Sequence, residues 1–329
     1  MDMIEKKMAW LNKPVSARLR GLFDGKRKPA EVYGLLSEFL SAEGKLLRPA
    51  LCTASCLAVG GNKNDAVHAA SAIEMFHNFT LIHDDIEDCS QLRRGRPCMH
   101  IKYGLPLAIN AGDGLFMMVW REALAMEGGR REEAQILLLD AFAKVLEGQA
   151  VELGWYRGGN WDVGVGEYYK VIEGKTGALI SVSCEVGGLL GGGDGAACGA
   201  LGRFGMGIGV GFQMVDDALN IIGDEKNYGK EIGGDIREGK RTLITIRALK
   251  ALPGKKAARL REILKREYKR EEDILCAVVL MKESGAVESV METAKERIND
   301  AIGELDALPK GEGQRTLREL ARYITRRER

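Results

Sequence analysis

The sequence predicts an all-α protein folded as a single domain over residues 1–329, and three observations carry that prediction. Apolar residues recur at helical spacing through most of the chain. Alternating, strand-like runs are scarce. Only seven prolines occur, and Pro49, Pro97 and Pro106 fall at helix starts or in loops. Taken in order, "AEVYGLLSEFL" has the apolar period of a helix. An apolar helical run then leads into "HDDIED". Residues 105–127 and 131–157 are long and rich in Ala, Leu, Met and Glu, and the second contains "EEAQILLLDAFAKVLEGQAVEL". Residues 195–222, 256–268 and 284–308 complete the helical set. No repeat with a period of about 20–50 residues and no compositional break divides the chain.

The 42 glycines are many for such a protein, because each interior helical glycine costs about 1 kcal/mol relative to alanine. Their cluster at 187–213 predicts close helix packing and a loop near Gly191–Gly195.

Composition narrows the function classes. Charged residues make up 29% and nearly cancel, leaving +1, which argues against a nucleic-acid binder but leaves room for a small anionic ligand held by local cations. Seven cysteines, an odd number with no CxxC pair, predict reduced thiols and a cytoplasmic protein. Cys52 and Cys56, four apart, are expected to pack in the core. The opening "MDMIEKKMAW" has no signal-peptide apolar core. No stretch reaches about 18 uninterrupted apolar residues, so no membrane span is expected.

Asp84, Asp85 and Asp88 stand at i, i+1 and i+4, a spacing that lets all three carboxylates address one volume from a helix. A divalent cation would remove their mutual repulsion. One such DDxxD motif is weak by itself, since a solvated acidic face gives the same pattern. A second cluster, Asp216, Asp217 and Asn220 in "FQMVDDALN", repeats the spacing after another apolar run. Two such clusters on facing helices could grip metal ions and a polyanion between them. Cations accompany both: Lys45 and Arg48 in "GKLLRP", Arg93 and Arg94 after the first cluster, Lys175 in "GKTGAL", and Lys230 and Lys240 in "GKEIGGDIREGKRT". Arginine takes phosphate through two parallel hydrogen bonds and lysine as a point charge. The glycine-rich, charged stretch 223–241 reads as a lid over bound phosphates or as an ordinary loop.

These blocks, with "HNFTLIHDDIEDCSQLRRGRP", resemble the trans-isoprenyl diphosphate synthases, or polyprenyl synthetases. The resemblance runs from "GKLLRP" to "LRELARYITRR". It implies the isoprenoid synthase fold, in which roughly ten or more core helices surround a deep cavity, and it implies a homodimer. It also implies about three Mg²⁺ ions per site, with Mn²⁺ as a substitute. Asp84, Asp85, Asp88, Asp216 and Asp217 would then hold metal. Arg93, Lys175, Lys230 and Lys240 would contact an allylic diphosphate, while Lys45, Arg48, His77 and Arg94 would bind isopentenyl diphosphate. Thr176 and Gln213 match positions facing the reacting carbon. The expected reaction joins the two diphosphates head to tail through an allylic carbocation. His83 either orients a carboxylate or packs locally, and His68 and His100 are read as structural.

In this family, bulk on the first acidic helix limits product length. Phe79 lies five residues before Asp84, about 7.5 Å along a helix. Thr80 lies four before and Phe76 eight before. That arrangement, with the two-residue gap of "DDIED", resembles short-chain enzymes that stop at C20. Geranylgeranyl diphosphate is the expected product, with farnesyl and C25 diphosphates as alternatives. Asn220, where the family most often has aspartate, raises the alternative of a partner subunit of low activity. A class I terpene cyclase would not need Lys45 and Arg48. A di-iron bundle would need Glu-x-x-His pairs, and the sequence has none.

Overall fold

The computed structural model describes residues 3–23, 28–41, 44–223 and 232–325. Lys230, with residues 224–231 of the expected lid, and the last four residues lie outside them. The described residues are predominantly helical. In order they form α1 (Met3–Leu22), α2 (Ala30–Ser41), α3 (Leu47–Ala58), α4 (Val67–Glu87), β1 (Leu92–Arg93), β2 (Arg96–Pro97), α5 (Met99–Tyr103) and α6 (Leu105–Ala123). There follow α7 (Arg131–Arg157), α8 (Val165–Ile172), a π-helical turn (Glu173–Gly177), α9 (Ala178–Leu190) and α10 (Gly195–Ile222). The chain continues with α11 (Gly234–Glu238), α12 (Leu243–Ala251), α13 (Gly254–Lys265), α14 (Glu271–Glu283), α15 (Ala286–Glu304), a 3₁₀ turn (Leu305–Ala307) and α16 (Glu312–Thr325). The expected helices at 131–157 and 195–222 have those bounds. The others end earlier than the apolar pattern suggests: α6 stops at Ala123 and α13 at Lys265.

The chain groups into two compact units, each built from several segments. The first comprises Met1–Phe142, Leu179–Gly205 and Glu304–Leu320. At its centre is α4, which packs on α1, α3 and α6. Ala69, Ala70, Ile73, Met75, Phe76 and Ile82 of α4 are all buried. Burial on several sides explains why α4 lacks the polar stripe of a surface helix. The clustered glycines do the packing expected of them. A Cβ on Gly191 would lie 2.6 Å from the Cys56 carbonyl oxygen, and one on Gly205 would lie 2.7 Å from the Ile180 carbonyl oxygen and the Ser181 Cα. Backbone cannot move aside as a side chain can. Gly205→Val is therefore expected to cost about 2–3 kcal/mol, read as a lower thermal midpoint. Cys52 and Cys56 are buried within α3, and burial pushes the Cys56 thiol up to about 12, as core packing requires.

The second unit comprises Ala143–Ala178, Met206–Gly303 and Ala321–Arg329. Its core is a single apolar cluster including Trp155, Ile172, Met214, Leu219, Leu243, Ile263, Met281 and Val290. A Cβ on Gly207 would lie 2.6 Å from that of Ala301, so α10 and α15 meet at glycine. Arg241 is mostly buried and serves as a clamp. It donates to the carbonyls of Gly239, Asn160 and Trp155 at 2.7, 3.0 and 3.2 Å, and its guanidinium lies 4.0 Å from the Trp161 ring centre.

Candidate active site

In the first unit the acids sit where α4 ends. The helix stops because Asp88 is its C-cap and Cys89 adopts a left-handed φ of 53°. The Ser90 amide then donates to the Asp85 carbonyl at 2.9 Å, a C-terminal closure that satisfies an orphan carbonyl. The three aspartates differ in setting. Asp84 and Asp88 are half-buried, whereas Asp85 is 1% exposed. Arg93 Nε donates to Asp85 Oδ1 at 2.8 Å, and its Nη2 shares the same oxygen. Asp85 Oδ2 is buried without a hydrogen-bond partner. Burial opposes the charge on Arg93, but the Asp85 carboxylate holds the guanidinium above its usual range.

Arg93 and Arg94 are carried by a hairpin that the sequence pattern did not reveal. Leu92 pairs with Pro97 and Arg93 with Arg96. The connecting residues Arg94 and Gly95 have φ of 52° and 73°. Two consecutive positive φ values make a type I′ turn, which favours tight hairpins. For arginine that conformation costs about 1 kcal/mol, a small strain that fixes where Arg94 starts. Gly44 makes room for it, since a Cβ there would lie 2.7 Å from Arg94 Nη2.

Arg48 opens α3 after Leu46, itself left-handed at φ 48° and held by Asn12 Nδ2 donating to its carbonyl at 2.9 Å. Around His77 the cations converge. Burial first, then the charges of Arg48, Arg94 and Arg93, hold the imidazole well below its usual range, so it is neutral at pH 7. Glu74, 4% exposed, lies one turn back and was not singled out by sequence. Burial raises its carboxyl, while Arg48, the Asn78 amide at 2.9 Å and Arg94 oppose the rise. Lys45 is exposed at the same chain turn. The arrangement is a basin of guanidinium charge with one buried carboxylate, able to hold a small polyanion. His83 Nε2 lies 3.7 Å from Asp113 Oδ1 of α6. Its ring lies 4.7 Å from that of Phe79, and Gly112 of α6 leaves space for it.

Phe79 is 8% exposed, with its ring centre 5.1 Å from Phe116 and 5.5 Å from Phe76. Phe76 is fully buried and stacks on Phe142 at 3.8 Å. The Thr80 hydroxyl donates to the His77 carbonyl at 2.8 Å. Phe116 and Trp120, half-exposed on α6, join this aromatic group.

In the second unit, Asp216 and Asp217 lie on α10 and again diverge. Asp216 is half-buried and Asp217 is 5% exposed. Gln213 Nε2 donates to Asp217 Oδ1 and the Tyr168 hydroxyl to Oδ2, each at 2.8 Å. Burial, then Asp235 and Asp216, push the Asp217 carboxyl up to about 8 against those two donors. The Thr176 hydroxyl donates to Gln213 Oε1 at 2.9 Å, so Thr176, Gln213, Asp217 and Tyr168 form one chain of hydrogen bonds. Asn220 is 3% exposed and is engaged locally, where its Oδ1 accepts from the Asp235 amide at 3.0 Å. Lys240 pairs with Glu238 at 2.6 Å and Asp235 at 3.4 Å.

Lys175 and Thr176 project from the π-helical turn, a distortion common at functional sites. Glycines permit it: a Cβ on Gly148 would lie 2.7 Å from the Lys175 amide nitrogen, and one on Gly174 would lie 2.9 Å from the Lys144 carbonyl oxygen. Lys175 Nζ donates to Glu152 Oε2 at 2.8 Å, and the Tyr156 hydroxyl donates to Oε1 at 2.9 Å. Burial works against the Glu152 charge, but Lys175, then Lys240 and Tyr156, hold its carboxyl below the usual range. Glu152 therefore stays charged above its ordinary value of 4.5, and the pair is lost only as pH falls through the lowered value. Glu152→Gln is expected to raise KM for an anionic substrate about tenfold at pH 7, with the thermal midpoint nearly unchanged, as measured by steady-state kinetics and calorimetry.

Among the described residues no group of three or more His, Cys, Asp or Glu side chains is gathered closely enough to hold a metal ion by itself. The aspartates still fit Mg²⁺, which keeps open positions and takes one or two carboxylates beside substrate phosphates. The buried Asp85 Oδ2, which has no hydrogen-bond partner, is a carboxylate oxygen of that kind.

A family model for polyprenyl synthetase matches residues 29–281. A short chain isoprenyl diphosphate synthase of Methanothermobacter thermautotrophicus is 37% identical, with 91% of each chain covered. A geranylfarnesyl diphosphate synthase of Aeropyrum pernix is 34% identical over 91% of this chain and 95% of its own. The crystal structure of geranylgeranyl pyrophosphate synthetase from Pyrococcus horikoshii superposes with a TM-score of 0.91 at 33% identity, covering 98% of this chain and 99% of that one. With its acidic helix ends, the match over most of its length and this shared fold, the chain belongs to the polyprenyl synthetase family.

Proposed function

We propose that the protein is a trans-prenyltransferase that adds isopentenyl diphosphate to an allylic diphosphate primer and releases geranylgeranyl diphosphate. Family membership supports the reaction. The observation that carries it is the gathering of Arg48, Arg93 and Arg94 around His77, about two helical turns before Asp84 and three before Asp88. Asp84, Asp85, Asp88, Asp216 and Asp217 would hold Mg²⁺, which neutralises the charge that builds on the leaving diphosphate. Lys175 and Arg93 add fixed positive charge toward the allylic diphosphate. Arg48, Arg94, Lys45 and His77 hold isopentenyl diphosphate; a neutral imidazole can donate one hydrogen bond to phosphate without adding charge.

The chemistry needs no protein nucleophile. The allylic C–O bond breaks and its electron pair leaves with diphosphate. The double bond of isopentenyl diphosphate attacks the resulting cation. The proton lost from its C2 passes to the departing diphosphate, and the new double bond forms. The oxygens of Thr176 and Gln213 present their dipoles to the cation. Water would quench the cation, so the tail must be sheathed in apolar groups. Phe79, backed by Phe116 and Phe76, is the floor that sets the C20 limit. Removing it gives the C25 reading a route.

We further propose that the whole chain acts as one catalytic domain and as a cytoplasmic homodimer. Exposed Ile109 and Met117 share one face of α6, and exposed Leu124 caps its end; an apolar stripe of this kind is suited to a second copy. Among the described residues no helix is long and apolar enough to cross a membrane. Asn220 gives the partner-subunit reading little support, because its side chain serves the Asp235 amide. The test is to incubate the protein with Mg²⁺, isopentenyl diphosphate and each of the dimethylallyl, geranyl and farnesyl primers, and to size the products. A C20 product is expected. Absence of condensation with every primer would contradict the reading.

A further inference from the structure

Two large apolar side chains stand exposed on α14 of the second unit. Leu275 is 64% exposed and Val279 53%, four residues apart and therefore neighbours on one face. Scattered single apolar residues are ordinary on a protein surface, but these two adjoin. The core face of the helix is already occupied. Ile274, Ala277, Val278 and Met281 are buried, and Ile274 and Val278 are the side chains that a Cβ on Gly233 would meet. Leu275 and Val279 lie on the opposite side.

That face is charged at each end. Glu272 lies one turn before Leu275 and Lys282 one turn after Val279, both exposed. The neighbouring acids are matched within the chain: Glu271 pairs with Arg237 at 2.5 Å and Glu283 with Lys256 at 2.6 Å. Glu272 has a long contact with exposed Arg270 at 3.7 Å, and no ion pair engages Lys282 among the described residues. Glu272, Leu275, Val279 and Lys282 are spaced three, four and three apart, the spacing of a coiled-coil seam. They are also symmetric about Ala277. With a second copy of the helix laid antiparallel across this face, each residue meets its complement: Leu275 meets the partner's Val279, and Glu272 meets the partner's Lys282. A parallel pairing would set Glu272 on Glu272 and Lys282 on Lys282. A two-fold contact requires a surface that complements itself, and this stripe does so in charge and in shape.

We propose that the outer face of α14 is a docking surface for a second copy of this chain, the two helices antiparallel about a two-fold axis at Ala277. The contact is separate from the apolar stripe on α6, which belongs to the first unit, so the two together link homodimers into larger assemblies. It does not depend on the prenyltransferase reading. The seam is short. From Glu272 to Lys282 it runs about 15 Å, and it buries less than the roughly 1,200 Å² at which standard interfaces begin, so the association is weak and reversible. Its end charges are exposed and add little attraction each. Their part is to set direction, because every other pairing opposes like charges.

Sedimentation of the full chain over a concentration series tests the contact, at low salt where the end charges are least screened. The parent is expected to show a reversible, concentration-dependent species of at least twice the mass seen on dilution. Leu275→Glu is expected to weaken that association at least tenfold, since it sets two charges in the middle of the seam. Glu272→Lys and Lys282→Glu are each expected to weaken it about tenfold, because each places like charges together at both ends. Mixed in equal amounts, those two variants are expected to associate with one another as the parent does with itself, since each supplies the charge that the other lacks. All three changes fall at exposed positions, so thermal midpoints at low concentration should match the parent's and report that the variants fold. A parent whose mass stays constant across the series overturns the proposal and leaves the face to solvent or to a different partner. Association that Leu275→Glu leaves unchanged also overturns it, as do two charge variants that fail to recover it when mixed.

Discussion

Asp84→Ala is expected to lower kcat/KM by about a thousandfold and leave the fold intact. Asp84 is half-buried at the end of α4, so its removal leaves no sealed cavity. What it removes is a carboxylate needed to hold the metal that takes up charge on the leaving group. Asp88→Ala should behave alike, since Asp88 is also half-buried at the helix cap. Asp85→Ala should differ. Asp85 is 1% exposed and bonded to Arg93, and leaving a mostly buried guanidinium without its partner costs about 3 kcal/mol. The signature is therefore a split: activity lost with an unchanged thermal midpoint for Asp84 and Asp88, and both lowered for Asp85. Equal loss of stability in all three would contradict the assignment of Asp85 to Arg93.

Phe79→Ala is expected to shift the main product from C20 to C25 or longer. The ring is 8% exposed and touches Phe116, Phe76 and His83. Its deletion leaves a gap on the order of several methylene groups at a cost of about 3 kcal/mol. A growing tail can occupy that gap and recover part of the lost burial. Phe116 competes for the same space, so Phe79→Ala combined with Phe116→Ala should give the longer product even where the single change is masked. Products are sized by chromatography after dephosphorylation. An unchanged C20 product from both proteins would remove Phe79 as the floor.

Much of this was legible in the sequence because it depended on local spacing. The ends of α7 and α10 follow the apolar period directly. The i, i+1, i+4 aspartates need only helical geometry to be placed together. The glycine cluster signalled close approach, and the Gly191 and Gly205 contacts are of that kind. What spacing could not give is which aspartate of each pair turns inward. That is set by partners distant in sequence, Tyr168 for Asp217 and the Arg93 hairpin for Asp85. Glu152 and Glu74 were invisible for the same reason. Each looks like one more charge on a helix until Lys175 or Arg48 is brought beside it. The hairpin escaped notice because its strands are two residues long. Only the left-handed Arg94–Gly95 pair marks it. Lys240, read as a phosphate ligand, pairs with Glu238 and Asp235 here. A phosphate contact requires it to exchange those partners.

The most direct test of the account is a stoichiometry. Labelled isopentenyl diphosphate and farnesyl diphosphate are supplied with Mg²⁺, and label incorporated into prenyl product is counted against inorganic diphosphate released. Head-to-tail condensation predicts one diphosphate released for each isopentenyl unit incorporated, with both falling to background in EDTA. Diphosphate released without isopentenyl incorporation would mean ionisation without chain growth, and would contradict the assignment of Arg48, His77 and Arg94 to a second substrate.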